Sequence, residues 1–247
     1  MLVDVHAHLD SEEFKKDLHE VIIRAKRERF SAIITNGTDP ESNRNILKLS
    51  KKYPIIKPAL GMYPSSAVAL RDEEIEKEIN FIRNIKPIAI GEVGLDNHRV
   101  KNLNKQKKVL KKLAKLAMEL KIPLIVHSRK AEKETIDLLE EVGIEKVVMH
   151  CFSGNSELTK KAVSNGWMFS IPSMILKSKT YRKLAKRVPL SQLLTETDSP
   201  FLSPFPDKRN EPISIVESLQ KIAEIKEINL EELKKIIYIN YQKNFLN

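Results

Sequence analysis

Eight short apolar runs, separated by stretches of helical period, constrain the fold of this 247-residue chain more than any other feature. They are Leu2–Val5, Ala32–Thr35, Ile55–Leu60, Pro87–Ile90, Pro123–Val126, Val147–Met149, Trp167–Ile171 and Leu193–Thr195. Each is nearly continuous in Ile, Val and Leu, the pattern of strands buried on both faces of a parallel sheet. Between the runs lie amphipathic segments. From Ser11, a candidate N-cap, Phe14, Leu18, Val21, Ile22 and Ala25 recur at helical spacing. From Asn104 to Leu120, Leu110, Leu113, Ala114, Ala117 and Leu120 share one face, while Lys107, Lys108, Lys111, Lys112 and Lys115 share the other. Asn229 with Glu232 resembles a capping box and predicts a last helix to about Tyr238. Strand and helix in eightfold alternation predict an α/β fold, a TIM (β/α)8 barrel in which residues 1–247 form a single domain. A doubly wound open sheet is the rival, because alternation alone does not say whether the sheet closes. The Pro-rich piece Ser199–Pro212 reads as the loop after the eighth strand.

Composition narrows the function classes. With 41% hydrophobic and 31% charged residues the chain is globular rather than disordered. A single cysteine excludes an intramolecular disulfide framework and a multi-cysteine zinc site. No apolar run reaches the ~18 residues of a membrane span, and MLVDVHAHLD does not read as a secretory signal. A cytoplasmic protein with no membrane association and no obligate protein partner is expected. The net charge of +10 makes a polyanionic partner plausible.

The chemistry-bearing residues gather at strand ends. His6 and His8 are two apart on the first strand, so their imidazoles project to one side, as does Asp4. Glu92 follows the fourth run, His127 ends the fifth, His150 ends the sixth, and Asp198 follows the eighth. In an α/β barrel this layer is the C-terminal face, where the chemistry collects. Four imidazoles and two carboxylates exceed what one four-coordinate ion needs with a water position left open. They suit two divalent ions sharing a carboxylate and a bridging hydroxide, since coordination lowers the pKa of water from about 15.7 to about 7. Imidazole with carboxylate suits Zn, Mn, Fe or Co better than Mg. No nucleophile elbow, P-loop or dinucleotide glycine fingerprint occurs. Cys151 reads as a small packed side chain.

HAHLD, GEVGLD, HSR, HCFSGN, ETDSP and RNEP, in this order, resemble the motifs of the TatD-type metal-dependent deoxyribonucleases, within the amidohydrolase-like metal-dependent hydrolases. The resemblance spans essentially the whole chain. It implies a TIM barrel, two divalent metals (Mg often being the ion in nuclease activity) and hydrolysis of phosphodiester bonds in DNA. It implies further that His6 and His8 hold one metal with Asp198, that His127 and His150 hold the other, and that Glu92 bridges them. Asp198 and Glu92 are then the catalytic carboxylates, with Asp198 also accepting a proton from the attacking water. Glu196 either supports a ligand from behind or forms a buried salt bridge. Two positions depart from the family pattern: Tyr63 stands where many members carry histidine, and Asn97 where an aromatic residue is common.

Positive charge matters only where it can reach the bond. The lysines of 105–115 read as the solvated face of a helix. His98, Arg99, Lys101, Arg129, Lys130, Lys177, Lys179, Arg182, Lys208 and Arg209 fall in loops after strands four, five, seven and eight. Of these, Arg129 foremost, with Arg99 and Arg209, is expected to bind substrate phosphate, joined by Tyr63 as a hydroxyl donor. Phe152, Tyr63 and Phe201 could offer faces for bases. The expected activity is a metal-dependent deoxyribonuclease on single strands or 3′ ends. One alternative keeps the bimetallic site but opens another ester or amide, such as an aminoacyl-tRNA ester. Another is a basic nucleic-acid-binding protein with structural metals.

Overall fold

The computed structural model describes residues 1–246. Its strands are β1 (Leu2–Ala7), β2 (Phe30–Asn36), β3 (Ile56–Leu60), β4 (Ala89–Asp96), β5 (Leu124–Arg129), β6 (Val147–His150), β7 (Met168–Pro172) and β8 (Leu193–Glu196). All neighbouring pairs are parallel and follow chain order from β1 to β8. The ends of the sheet then meet. Ala7 bridges to Ser199 in parallel sense, the His8 amide donates to the Ser199 carbonyl at 2.7 Å, and the Asp198 amide donates to the His6 carbonyl at 2.8 Å. Those contacts exclude the open sheet and make the fold a TIM barrel.

The helices are α1 (Leu18–Arg27), α2 (Pro40–Lys52), α3 (Pro64–Ala69), α4 (Asp72–Ile85), α5 (Leu103–Leu120), α6 (Glu132–Val142), α7 (Ser156–Ser164), α8 (Lys179–Arg187), α9 (Ile215–Lys226) and α10 (Leu230–Phe245). Their apolar faces pack on the barrel. Ile46, Leu113, Ile136, Leu219 and Leu233 are buried in one continuous core with Val5, Ile33, Ile125 and Val148 from the strands. Burying a side chain of this size contributes roughly 1.5–3 kcal/mol.

Most strands lie where the apolar runs put them, but they reach further. β4 is the clearest case: it runs through Glu92 to Asp96, whereas the apolar run ends at Ile90. Glycine ordinarily reads as a turn, yet here it is required by close approach. At Gly94 (φ +148) a Cβ would lie 1.9 Å from the His127 carbonyl oxygen, so only glycine lets β4 and β5 pair there. The expected helix start at Ser11 is also corrected. Glu12–Phe14 form a 3-10 turn and α1 begins at Leu18; the Ser11 hydroxyl is spent on the Glu13 carboxylate instead of a backbone amide. The last helix outruns Tyr238 because Asn240 caps the carbonyls of Leu190 and Leu193, at 2.8 Å each, and Tyr241 and Phe245 are buried. Asn229 does cap it, accepting from the amide of Glu231 at 2.9 Å. The α5 lysines are partly exposed and pair with acids on neighbouring helices: Lys108 with Asp72, Lys111 with Glu141, Lys112 with Glu76.

Candidate metal centre

The extra length of β1, β4, β5, β6 and β8 beyond their apolar runs carries polar side chains into the mouth of the barrel. They line a cleft of about 850 Å³ at the C-terminal face. β1 delivers His6, and His8 follows just past its end; β4 delivers Glu92, β5 His127 and β6 His150, while Asp198 lies just beyond β8. All six converge. Nε2 of His6 lies 3.2 Å from Nε2 of His8. Glu92 Oε2 is 3.5 and 3.4 Å from these two nitrogens, and Asp198 Oδ1 is likewise 3.5 and 3.4 Å from them. The other oxygen of Glu92, Oε1, faces His127 Nδ1 at 3.0 Å and His150 Nε2 at 3.8 Å. Asp198 Oδ1 also reaches to 4.0 Å of His150 Nε2.

Those spacings test whether a metal fits. Donors held about 2.0–2.2 Å from a tetrahedral cation lie roughly 3.3–3.6 Å apart. The group of His6, His8, Glu92 and Asp198 is spaced at 3.2–3.5 Å along the five edges given above. The second group, Glu92 with His127 and His150, gathers three donor atoms within 4.8 Å of one another. A divalent ion fits the first group, and the second offers a three-donor position sharing Glu92.

Three of the four imidazoles are aimed from behind; the outer nitrogen of His6, Nδ1, is buried without a partner among the described residues. His8 Nδ1 is 2.9 Å from the Asn36 carbonyl, which can only accept a hydrogen bond, so Nδ1 carries a proton and Nε2 is the nitrogen whose lone pair faces the centre when the ring is neutral. His150 Nδ1 is 2.8 Å from Glu196 Oε2. Glu196 is itself fixed by the Cys151 amide at 2.9 Å and the Ser170 hydroxyl at 2.5 Å. Glu196 therefore orients His150 from behind and is at the same time its buried salt-bridge partner. His127 is reversed: Nδ1 faces Glu92, while Nε2 lies 3.4 Å from Asp96 Oδ2 and 3.3 Å from the Tyr63 hydroxyl. Asp96 also accepts from the amides of His98 and Arg99, at 2.8 and 2.7 Å, so one carboxylate fixes both the imidazole and the loop after β4. Asp96, Asn36 and Ser170 were not singled out from sequence. The Asp of GLD was the only signal available, and it named no partner.

The electrostatics follow from burial and neighbours. Burial alone would raise Glu92, but His6, His127 and His8 hold its carboxyl well below the usual range. Burial likewise opposes ionisation of Asp198, and His8, His150 and His6 outweigh it. Among the imidazoles, burial and then His150 push His6 down. His8 is held well up, against burial, by Asp198 and Glu92. His150 rises to about 9, against burial, chiefly through Glu196. The arrangement is thus two ionised carboxylates among three imidazoles held up and one, His6, held down, in which protons and cations compete for the same lone pairs.

The outer residues divide. Arg99, Arg129 and Tyr63 line the cleft. Both arginines are exposed, and neither guanidinium has a hydrogen-bond or ion-pair acceptor among the described residues. Arg209 does not line it and is corrected: its guanidinium binds Asp17 and Glu211, at 2.7 and 2.9 Å, and stacks on Phe14. Arg182 ties down the carbonyls of Ile175 and Leu176. Phe152 is fully buried against Phe169 and offers no face to a base, whereas Phe201 lines the cleft. Cys151 is more than packing: it is half-buried and lines the cleft too.

Known proteins match this chain over its whole length. A family model described as TatD related DNase matches residues 3–246. An uncharacterized metal-dependent hydrolase of Methanocaldococcus jannaschii is 38% identical over 245 residues, covering 98% of this chain and 96% of its own. One from Bacillus subtilis is 35% identical over 252 residues, covering 99% of both. The human protein named deoxyribonuclease TATDN3 is 36% identical over 258 residues, covering 99% of this chain and 94% of its own. Among solved structures, a TatD homologue from Escherichia coli superposes with a TM-score of 0.92 at 26% identity, covering 100% of this chain and 98% of its own.

Proposed function

The chain belongs to the TatD-related DNase family, a family of metal-dependent hydrolases, and within it we propose a deoxyribonuclease that cleaves phosphodiester bonds in single strands or at 3′ ends. One observation carries this reading: the two oxygens of Glu92 face two separate donor groups, His6 with His8 and His127 with His150. A carboxylate so placed suits a pair of ions.

His6, His8 and Asp198 would hold one divalent ion, His127 and His150 the other, with Glu92 common to both. When bound, such ions supply Lewis acidity and bring a water into reach of deprotonation near neutral pH. Asp198 accepts that proton. Its Oδ1 stands among His6, His8 and His150, on a backbone held in the left-handed region (φ 59). Arg99 and Arg129 take the phosphate oxygens; their free guanidinium forks suit an anion. The Tyr63 hydroxyl, pushed up by burial and by the Glu92 and Asp96 charges, stays protonated and can act as a neutral donor. A mouth of this size, closed by eight strand ends, admits a strand or an end more readily than an intact duplex.

The test pairs elemental analysis of the purified protein with digestion ladders on DNA, RNA and acyl-ester substrates. Metal-dependent DNA cleavage is expected, and it should vanish in Glu92→Ala and Asp198→Ala with the fold retained by circular dichroism. Full activity in both variants, or preference for the acyl esters, sinks the reading.

A further inference from the structure

Of the eight phenylalanines, Phe201 is the one that is exposed, at 52%. It lines the cleft just past Asp198, and its neighbour Leu202, also exposed, lines it too. The backbone that carries this ring is held. The Phe201 amide donates to the Asp198 carbonyl at 2.9 Å. The buried side-chain amide of Asn210 donates to the carbonyls of Phe201 and Leu202, at 2.8 and 3.3 Å. Leu202 is held in the left-handed region (φ 52), a cost that surrounding structure must sustain. The backbone is therefore fixed on both sides of a ring left in solvent, with its centroid 5.9 Å from that of His8.

Position gives the ring a meaning. In the circular order of eight strands, β8 lies across the barrel from β4. Arg99 and Arg129, the unpaired guanidiniums of the cleft, follow or end β4 and β5. The mouth carries Arg99 and Arg129, with the Tyr63 hydroxyl, on one side and the exposed apolar pair Phe201 and Leu202 on the other, with the histidines and carboxylates between. That division matches a nucleotide, which carries an anionic backbone and a flat apolar base.

Resting on the nucleic-acid reading above, we propose that Phe201 is the stacking platform of a nucleobase subsite, holding the base next to the scissile phosphate. Stacking on an aromatic face tolerates any base, because every base has a π-face. The platform therefore sets affinity and the position of the cut rather than a sequence preference. It also predicts that a phosphodiester without a base is a poor substrate.

The experiment uses the full-length protein loaded with Mn²⁺ and single-stranded oligonucleotides carrying one abasic residue, moved stepwise across the cut position. In the parent protein, one abasic position should raise KM by about tenfold or more. Phe201→Ala should raise KM on intact DNA by a similar factor and then show no further penalty for that abasic position; Phe201→Trp should restore both properties. A second readout needs no turnover: in excess EDTA, a strand carrying 2-aminopurine should be quenched on binding the parent protein and not on binding Phe201→Ala. An unchanged abasic penalty in Phe201→Ala, or equal quenching by both proteins, overturns the proposal. Absence of any DNA cleavage would instead strike the functional reading, and the quenching comparison would still decide the subsite.

Discussion

Glu196 Oε2 stands 2.8 Å from Nδ1 of His150, so one fully buried carboxylate fixes the direction in which that imidazole presents its other nitrogen. The Ser170 hydroxyl donates to the same oxygen and the Cys151 amide to the other, Oε1. Glu196 is a lever on the centre that stays outside the cleft, whereas His150 lines it. Glu196→Gln keeps the shape and removes the charge, and it should weaken metal affinity or activity by roughly 10–100-fold. Metal titration followed by calorimetry, alongside turnover, measures this; parent-like affinity would show that His150 needs no such support.

The guanidiniums of Arg99 and Arg129 should report phosphate contacts through salt. Each alanine variant is expected to lower the slope of log affinity against log salt by about 0.7, the contribution of one phosphate on a single strand. Arg209→Ala, whose parent side chain is occupied by Asp17 and Glu211, should leave that slope unchanged. Fluorescence anisotropy with a labelled oligonucleotide at several salt concentrations distinguishes the three.

Asp4 offers a pH-dependent test of stability. Burial pushes its carboxyl up to about 8, although the Thr197 hydroxyl and the amides of His6 and Thr197 pull the other way. A raised folded-state pKa means that the folded chain keeps a proton which the unfolded chain has released. Its stabilising contribution is complete below the ordinary value of 3.8 and is lost as pH rises toward about 8. Asp4→Asn removes that loss, so the variant should gain stability relative to the parent between about pH 5 and pH 8. Urea unfolding in excess EDTA across that range measures the difference; parallel curves would mean that Asp4 is ionised in the fold.

Asn210 holds the loop after β8 by its backbone amide, which donates to the Pro200 carbonyl at 3.1 Å, and still more by its side chain. Its side-chain amide donates to the Thr197 carbonyl and the Ser173 hydroxyl, at 2.8 and 2.9 Å, as well as to the Phe201 carbonyl. Asn210→Ala strands these acceptors in the interior and should cost about 1–3 kcal/mol in urea unfolding. A neutral result would mean that water reaches those acceptors.

The barrel was legible in the sequence because a strand buried on both faces has to be apolar almost throughout. Ile33, Ile125 and Val148 announce themselves by composition alone. The six converging donors were legible for a related reason: a histidine or carboxylate that abruptly ends such a run, as His127 and His150 do, has few bland explanations. What stayed hidden depends on distance through space. Nothing in the sequence shows that Gly94 must make room for the His127 carbonyl, so β4 seemed to stop at Ile90. Arg209 looked available because Asp17, the acid that occupies it, lies at the other end of the chain. Asn36 turns His8 with a backbone oxygen, which every residue type possesses, and so it left no trace at all.

The seam where β1 meets β8 runs straight through the centre. His6 and His8 stand on one side of it and Asp198 on the other, joined by the two backbone hydrogen bonds that close the barrel. The first and the last strand must therefore find each other before the donor set is complete. Loop closure over such a span is slow and entropically costly. A chain still being synthesised, or one trimmed before β8, has neither the final staple of its scaffold nor its full set of converging donors, and so cannot acquire hydrolytic power ahead of its finished shape.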